Sequence, residues 1–417
     1  MGFFLTILYV VIIFVRPQEF VPSIKNWPIL DFLSVGCISF IFLEGGFSAK
    51  RFNVSPLSSL LIALWLVVTF SNIANGWFGG GIMGFQDFAK VYIVYLLIIF
   101  SVTTRPRLKL FVWTLVCMGT FLALQSLLLY YTGEGLVGSE VVMRGDVVQT
   151  KGIGIFADPN DLAINIVPLV AFVLPAFHKH FLSRTWVTGV FFLVPMITGI
   201  AFTRSRGGIL GLAMVGWYYF YRRVGIWGSI VPVVIMVSFL LALPRMGQLS
   251  AKETSARSRL EHWSYGMELL KANPIFGVGY MRFTEHHSHT AHNSFVLVLA
   301  ECGLVGAVVW VSLFFCAFRD IKLLRNLPRP PPYLEPMLDS LKAAFLGWLV
   351  SAYFLSQTFK PLPYILMGVL VAGMNVLARE GYQVRHVWGM RQTMMSVVTT
   401  LVGVIFVYIS LIILWRM

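Results

Sequence analysis

The sequence is poor in charge, and that shortage excludes most of what a chain of 417 residues can be. Only 12% of its residues are Asp, Glu, Lys or Arg, against roughly 25% in soluble globular domains. Acidic side chains are the scarcest, 18 against 32 basic ones, for a formal net charge of +14. Cysteine is nearly missing as well. Cys37, Cys117, Cys302 and Cys316 all fall inside apolar runs, which speaks against a disulfide framework or a metal knuckle and reads each as a small core residue. No internal repeat is present, and the one biased tract is the stiff connector "RPPPYLEP". The opening "MGFFLTILYVVIIFV" lacks a basic n-region and a small-residue cleavage site, so it reads as a retained first span.

What is abundant is apolar sequence, 58% of the chain. A bilayer is crossed by about 17–25 such residues in a helix. Spans are predicted near 2–15, 29–44, 56–75, 83–101, 108–130, 160–177, 185–202, 207–221, 226–243, 293–318, 340–358, 361–378 and 393–414. That is thirteen, or twelve if 2–15 or 207–221 is interfacial or re-entrant. The fold class is therefore an all-α polytopic membrane protein. It divides into an N-terminal bundle (1–243), a loop between the ninth and tenth spans (244–291) and C-terminal helices (292–417). Within that loop Leu260, Trp263, Met267 and Leu270 recur at helical spacing, and Pro274, Gly277 and Gly279 close the segment. An amphipathic helix on the outer membrane surface is expected there.

The short basic loops set the orientation. Lys50–Phe52, Arg105–Lys109, His178–Arg184, Tyr221–Arg223, Arg319–Arg329 and Arg379–Arg391 fall on one side and hold 16 Lys/Arg, which marks that side as cytoplasmic. The opposite face still carries 14, eight of them in the long loops 131–157 and 244–291. Long loops cross regardless of charge, but this excess implies an anion on the outer face, either lipid headgroups or a phosphorylated substrate. No nucleic-acid partner is expected.

The polar residues gather at that face. "EHHSHTAHNSFVLVLAECGLVGAVVW" (Glu285–Trp310) holds four of the eight histidines. His292 precedes a span, where the helix dipole disfavours an imidazolium and attracts anions. Such a histidine suits a general base near neutral pH. His289, three residues earlier, shares its face if the helix begins upstream; the roles of His286 and His287 stay open. A metal site would need a further ligand motif beyond Glu285, and a polar rim at the membrane interface is the plain alternative. "AFTRSRGGILGL" (Ala201–Leu212) places Arg204 and Arg206 on a turn before two glycines, where guanidinium forks match phosphate oxygens. Interfacial snorkelling would explain them equally. Arg257 and Arg259 open the loop helix; Arg257 reads as a solvated charge, and Arg259 stands one turn before Trp263. In "GIFADPNDLAINIVP" (Gly154–Pro168), Asp158 and Asp161 read as cap and turn chemistry. Asn160 and Asn165 would bond a substrate or a neighbouring span. Glu301 lies nine residues into the span after His292, an intramembrane carboxylate that is either functional or paired with an outer arginine. Asp87 and Lys90 neutralise one another across a turn.

The order of "DPNDLA", "SRGGILGL", "SRLEHW…NPIFGVG" and "HNSFVLVLAECGLVG" resembles the O-antigen ligase and Wzy-type polymerase superfamily over about residues 150–310. The segment "RPQEFVPSI" (Arg16–Ile24) also resembles the exosortase-associated O-glycosylation ligase subgroup. The resemblance implies a GT-C-like, inverting, metal-independent glycosyltransferase of the bacterial inner membrane with a periplasmic active site and no cofactor. It implies a donor glycan on undecaprenyl pyrophosphate and an acceptor sugar of lipid A–core, with His292 as the essential histidine. Arg206 corresponds to the family's serine–arginine turn and Arg259 to its loop arginine; Arg204, His289 and Asn160 join them as substrate contacts, with Arg257 and Glu301 behind. A polymerase extending the glycan on its carrier, or a ligase acting on protein, would share this chemistry. A transporter or flippase would instead show paired broken helices near the midplane and inverted repeats, which the sequence does not display, and a non-catalytic scaffold would leave the outer arginines without an anion. Arg206, Arg259 and His292 are expected around one outer-facing cavity.

Overall fold

The computed structural model describes residues 1–19, 21–25, 27–135, 140–144, 147–178, 181–242, 249–384 and 386–415. The chain is helical nearly throughout, because apolar helices satisfy every backbone hydrogen bond internally and lipid offers no substitute. The helices are α1 (Gly2–Val15), α2 (Ile29–Leu43), α3 (Ala49–Phe52), α4 (Leu57–Ala74), α5 (Phe78–Ser101) and α6 (Arg105–Thr132). A two-stranded antiparallel hairpin follows, β1 (Val142–Arg144) with β2 (Val147–Gln149). Then come α7 (Pro159–Val173), α8 (Arg184–Thr203), α9 (Arg206–Ala242), α10 (Leu249–Ala272), α11 (Phe283–His286), α12 (Ser294–Arg325), α13 (Leu334–Ala352), α14 (Leu362–Arg379) and α15 (Met390–Trp415).

Each predicted span falls on a helix, but the one at 340–358 ends early, at Ala352, and residue 243 lies outside the described residues. Among the described residues nine helices are long and apolar enough to cross a membrane. Of the others, α2 is short, α13 carries Glu335, Asp339 and Lys342, and α9 contains the two predicted spans joined across a break at Gly225. The hairpin in the 131–157 loop was not foreseen. The boundary at 243/244 lies outside the described residues. Cys37, Cys302 and Cys316 are core residues as expected, but Cys117 faces outward from α6.

The basic loops share one end of the bundle. Arg51 donates to the Gly46 and Phe100 carbonyls, Arg105 stacks on Tyr333, and Arg379 donates to the Thr103 carbonyl at 3.4 Å. Arg222 bridges Glu335 at 2.8 Å and Asp339 at 3.1 Å, and Arg325 joins Asp339. Leu174 and Pro175, just before the 178–184 loop, line a cavity of about 330 Å³ with Arg222 and Arg223. The remaining end is where the candidate residues gather.

Two features at that far end depart from expectation. Helix α10 presents Trp263, Met267 and Leu270 as a buried face, as their spacing requires, but that face docks on α12 and α15 and not on lipid. Helix α12 is interrupted at Gly303 (φ 65°, ψ −165°), a break inside a segment that was expected to be one continuous span. The Pro274–Gly279 segment fills the gap. Val278 and Gly279 donate to the Ala300 and Glu301 carbonyls at 2.9 and 3.0 Å, and Leu304 and Val305 donate to Pro274 and Ile275 at 2.9 and 3.2 Å. Asn75 donates to the Gly277 carbonyl at 2.9 Å and Asn72 to the Tyr280 carbonyl at 3.3 Å, anchoring the insert to α4.

Only glycine fits this crossing. A Cβ on Gly303 would lie 2.3 Å from the Ile275 oxygen, and its φ is positive. Gly303→Ala is expected to destabilise the fold by about 1–3 kcal/mol, the range for one forced backbone conformation. A thermal melt of the purified variant checks this, and an unchanged midpoint would refute the close packing.

Candidate active site

The site grows from helix N-termini. Asp158 caps α7, accepting from the Asn160 backbone N–H at 2.8 Å and its side-chain amide at 3.0 Å. Ser205 caps α9, accepting from Gly208 N–H at 3.2 Å. Asn293 caps α12, accepting from Phe295 and Val296 at 2.9 and 3.2 Å. Each leaves unsatisfied N–H groups and a positive dipole end, which favours anions.

One connection ties the three ends together. Ser351, near the end of α13, donates to the Gly207 carbonyl at 3.0 Å. Ser294 donates to the Leu355 carbonyl at 2.5 Å and accepts from Gln357 N–H at 2.8 Å. The Gln357 side chain donates to Asp161, and Thr290 donates to Ser356 at 2.9 Å. Residues 351–358 therefore hold the starts of α7, α9 and α12 in one place. Nothing in the sequence marks this hub, because its hydrogen bonds join segments far apart in the chain.

Arg204 ends α8 in the left-handed region (φ 51°), and its Nε is buried without a hydrogen-bond partner among the described residues. Arg206 is the first residue of α9. The hairpin supports this turn: Gln149 donates to the Thr203 carbonyl at 3.0 Å and Thr150 to Phe202 at 3.2 Å. Asn160, in the first turn of α7, stands near them because Gly208 packs on Ala163.

His292 also adopts a positive φ (49°), immediately before the Asn293 cap. The helix starts at Ser294, so His289 and His292 do not share a helical face as expected. A different residue gathers them. His262, on α10, lies with its ring centroid 4.8 Å from His287, 5.5 Å from His289 and 5.6 Å from His292. Arg259 is one turn away from His262 on the same helix face. Sequence reasoning passed over His262, although its i+3 spacing from Arg259 was a usable signal. Its hydrogen bond to Ser258 is 3.0 Å long.

Two candidates stand apart. Arg257 pairs with Glu261 at 3.9 Å on the exposed face of α10, a solvated charge. Glu301 is buried, and its carboxylate accepts from the Phe283 N–H at 3.3 Å, not from an arginine. That contact holds the turn after the inserted segment. Asp87 and Lys90 pair at 3.8 Å on α5.

Burial depresses the pKa of His262 from 6.5 to about 4, reinforced by His287, His292, His289 and Arg259. The unfolded chain protonates this histidine at higher pH than the folded chain does. Its contribution to stability is therefore complete above about pH 6.5 and declines as pH falls toward 4. Melting temperatures measured across that window are expected to fall with pH in the wild type and to fall less in His262→Gln. Equal slopes would contradict a neutral His262.

Residues 191–311 match the family model described as O-antigen ligase. No curated protein matches the chain. The matched region runs from α8 through the first half of α12, and contains Arg204, Arg206, Arg259, His262, His289 and His292.

Proposed function

The chain carries an O-antigen ligase domain at residues 191–311, within the O-antigen ligase and Wzy-type superfamily, and on that premise we propose that it transfers a preassembled glycan from undecaprenyl pyrophosphate to a sugar hydroxyl of lipid A–core. The site faces the periplasm from the bacterial inner membrane. The observation that carries this reading is the arrangement inside the matched region. Two of its helix starts, α9 at Gly207 and α12 at Ser294, are bonded to the same 351–358 connection.

His292 takes the proton from the attacking hydroxyl. The hydroxyl oxygen bonds to the anomeric carbon as the carbon–oxygen bond to pyrophosphate breaks, with inversion. Arg206 and Arg259, aided by Arg204 and the α9 and α12 dipoles, stabilise the departing pyrophosphate. Asn160 and His289 contact the glycan. The donor already holds the activated bond, so no nucleotide is needed, and the arginines take the charge-stabilising role without a metal.

The test is a reconstituted assay with purified protein, undecaprenyl-pyrophosphate glycan and lipid A–core, with EDTA present. A single glycan-capped lipid A–core product supports ligation. A ladder on undecaprenyl pyrophosphate would make the protein a polymerase, and transfer only to added protein acceptor would make it a protein ligase.

A further inference from the structure

A second polar cluster lies at the opposite, basic-loop end of the bundle, away from the proposed reaction. Cys316 and Asp320 stand four residues apart on α12, one above the other on the same face. His386 reaches them from the connection between α14 and α15. All three are buried, and one potential ligand atom from each lies within 4.8 Å of the others. The Cys316 Sγ is 3.9 Å from His386 Nδ1 and 4.0 Å from an Asp320 oxygen. His386 Nδ1 donates to the other Asp320 oxygen at 2.5 Å. Ser55, just before α4, donates to Asp320 at 2.5 Å and sits 3.9 Å from the cysteine sulfur.

We propose that Cys316, Asp320 and His386 form a site for one divalent cation of the zinc class. Sulfur, imidazole nitrogen and carboxylate oxygen are the donors zinc takes, and they ill suit magnesium or calcium. Zinc-to-ligand lengths of about 2.0–2.3 Å in tetrahedral geometry put the ligands roughly 3.4–3.6 Å apart. The ligand atoms, within 4.8 Å of one another, reach that when the separations change by about 1–1.4 Å. Charge also balances: a thiolate, a carboxylate and a neutral imidazole cancel a dication, the least costly way to bury one. On binding, the Cys316 thiol loses one proton to solvent, and the His386 proton moves from Nδ1 to Nε2. Asp320 binds the ion as its carboxylate. Nε2 is buried and has no hydrogen-bond partner among the described residues, so the proton it takes up needs a water as acceptor. Ser55 or a water completes the coordination.

The bound ion would staple three segments that are distant in sequence: the start of α4, the inner half of α12 and the α14–α15 connection. The His386 N–H already donates to the Val54 carbonyl at 3.1 Å, so the segments are aligned for it. Cys316 then is a ligand as well as the small core residue its sequence suggested. This inference does not rest on the transferase reading, and its readout is not activity.

The experiment uses the purified full-length chain. Its zinc content is measured, and metal-depleted protein is titrated with Co²⁺ while thiolate-to-cobalt absorption is followed. About one equivalent of zinc and a saturable thiolate band at one equivalent of Co²⁺ are expected, as for a structural site. Cys316→Ser should abolish the band although Cys37, Cys117 and Cys302 remain. His386→Gln should weaken Co²⁺ binding by more than about a hundredfold, beyond the loss typical of outer-sphere partners. Substoichiometric zinc with no cobalt band in the wild type would overturn the proposal and leave a hydrogen-bonded Ser–Asp–His lock. A band that persists in Cys316→Ser would overturn it too, and because the wild type is itself decisive, misfolding of a variant does not blunt the test.

Discussion

His292→Ala is expected to lower glycan transfer by about 10²–10⁴-fold, the range for loss of a positioned acid–base group. Three features set the residue apart. Its backbone is held at positive φ, the next residue caps α12, and its ring meets His262 at 5.6 Å. The loss should fall on kcat at saturating donor and acceptor, because proton removal belongs to the chemical step. His292→Gln should fare no better, since an amide cannot take the proton. Melting temperature separates chemistry from folding: it should stay near that of the wild type. A variant that kept a third of its activity would remove His292 from the reaction.

Arg206→Ala is expected to cost about 10²–10³-fold, as for removal of one group that stabilises developing charge. The arginine opens α9 beside the cap Ser205, at the helix end whose dipole also favours an anion. Arg206→Lys restores charge but not the bidentate fork, and should recover only part of the rate. The product profile of each variant should be unchanged, because the arginine acts on the leaving group and not on the acceptor. Arg257→Ala, whose side chain pairs with Glu261 on an exposed face, serves as the control and should remain near wild-type activity. If the Arg206 and Arg257 variants lost activity equally, the loss would reflect general surface charge.

Much of the architecture was legible because it is periodic and local. Long apolar runs made helices, and the stripe of Trp263, Met267 and Leu270 gave α10 its buried face. The basic loops lie at one end because their charge excludes them from the apolar interior of the bundle. Non-local pairing was what stayed hidden. Gly303 lies two residues after Glu301, which was read as a functional or paired carboxylate and not as the mark of a break, and its partner Pro274–Gly279 was read only as a turn after α10. Glycines at 277, 279 and 303 were the available signal, since two backbones can approach so closely only without Cβ atoms. One span is broken where the sequence displayed none: α12 is interrupted at Gly303, whereas the break in α9 at Gly225 lies between its two predicted spans. The α12 interruption is filled by this chain's own segment, so it serves packing there.

The candidate site was half legible. Arginines and histidines on one face pointed to an anion before any fold was known. His262 was missed although it stands one turn after Arg259 on the same helix, and the 351–358 hub because its serines and glutamine act only across the fold. His289 reaches His292's neighbourhood through His262, not through helical spacing.

The central claim is that Arg206, Arg259 and His292 serve one lipid-linked pyrophosphate. The most direct measurement is a cryo-electron microscopy map of the full-length protein in nanodiscs with undecaprenyl pyrophosphate. The account predicts pyrophosphate density between the α9 and α12 N-termini, within hydrogen-bond reach of Arg206 and Arg259 and beside His292. Density instead in the cavity lined by Arg222 and Arg223 at the basic-loop end, with the α9 and α12 ends empty, would contradict it.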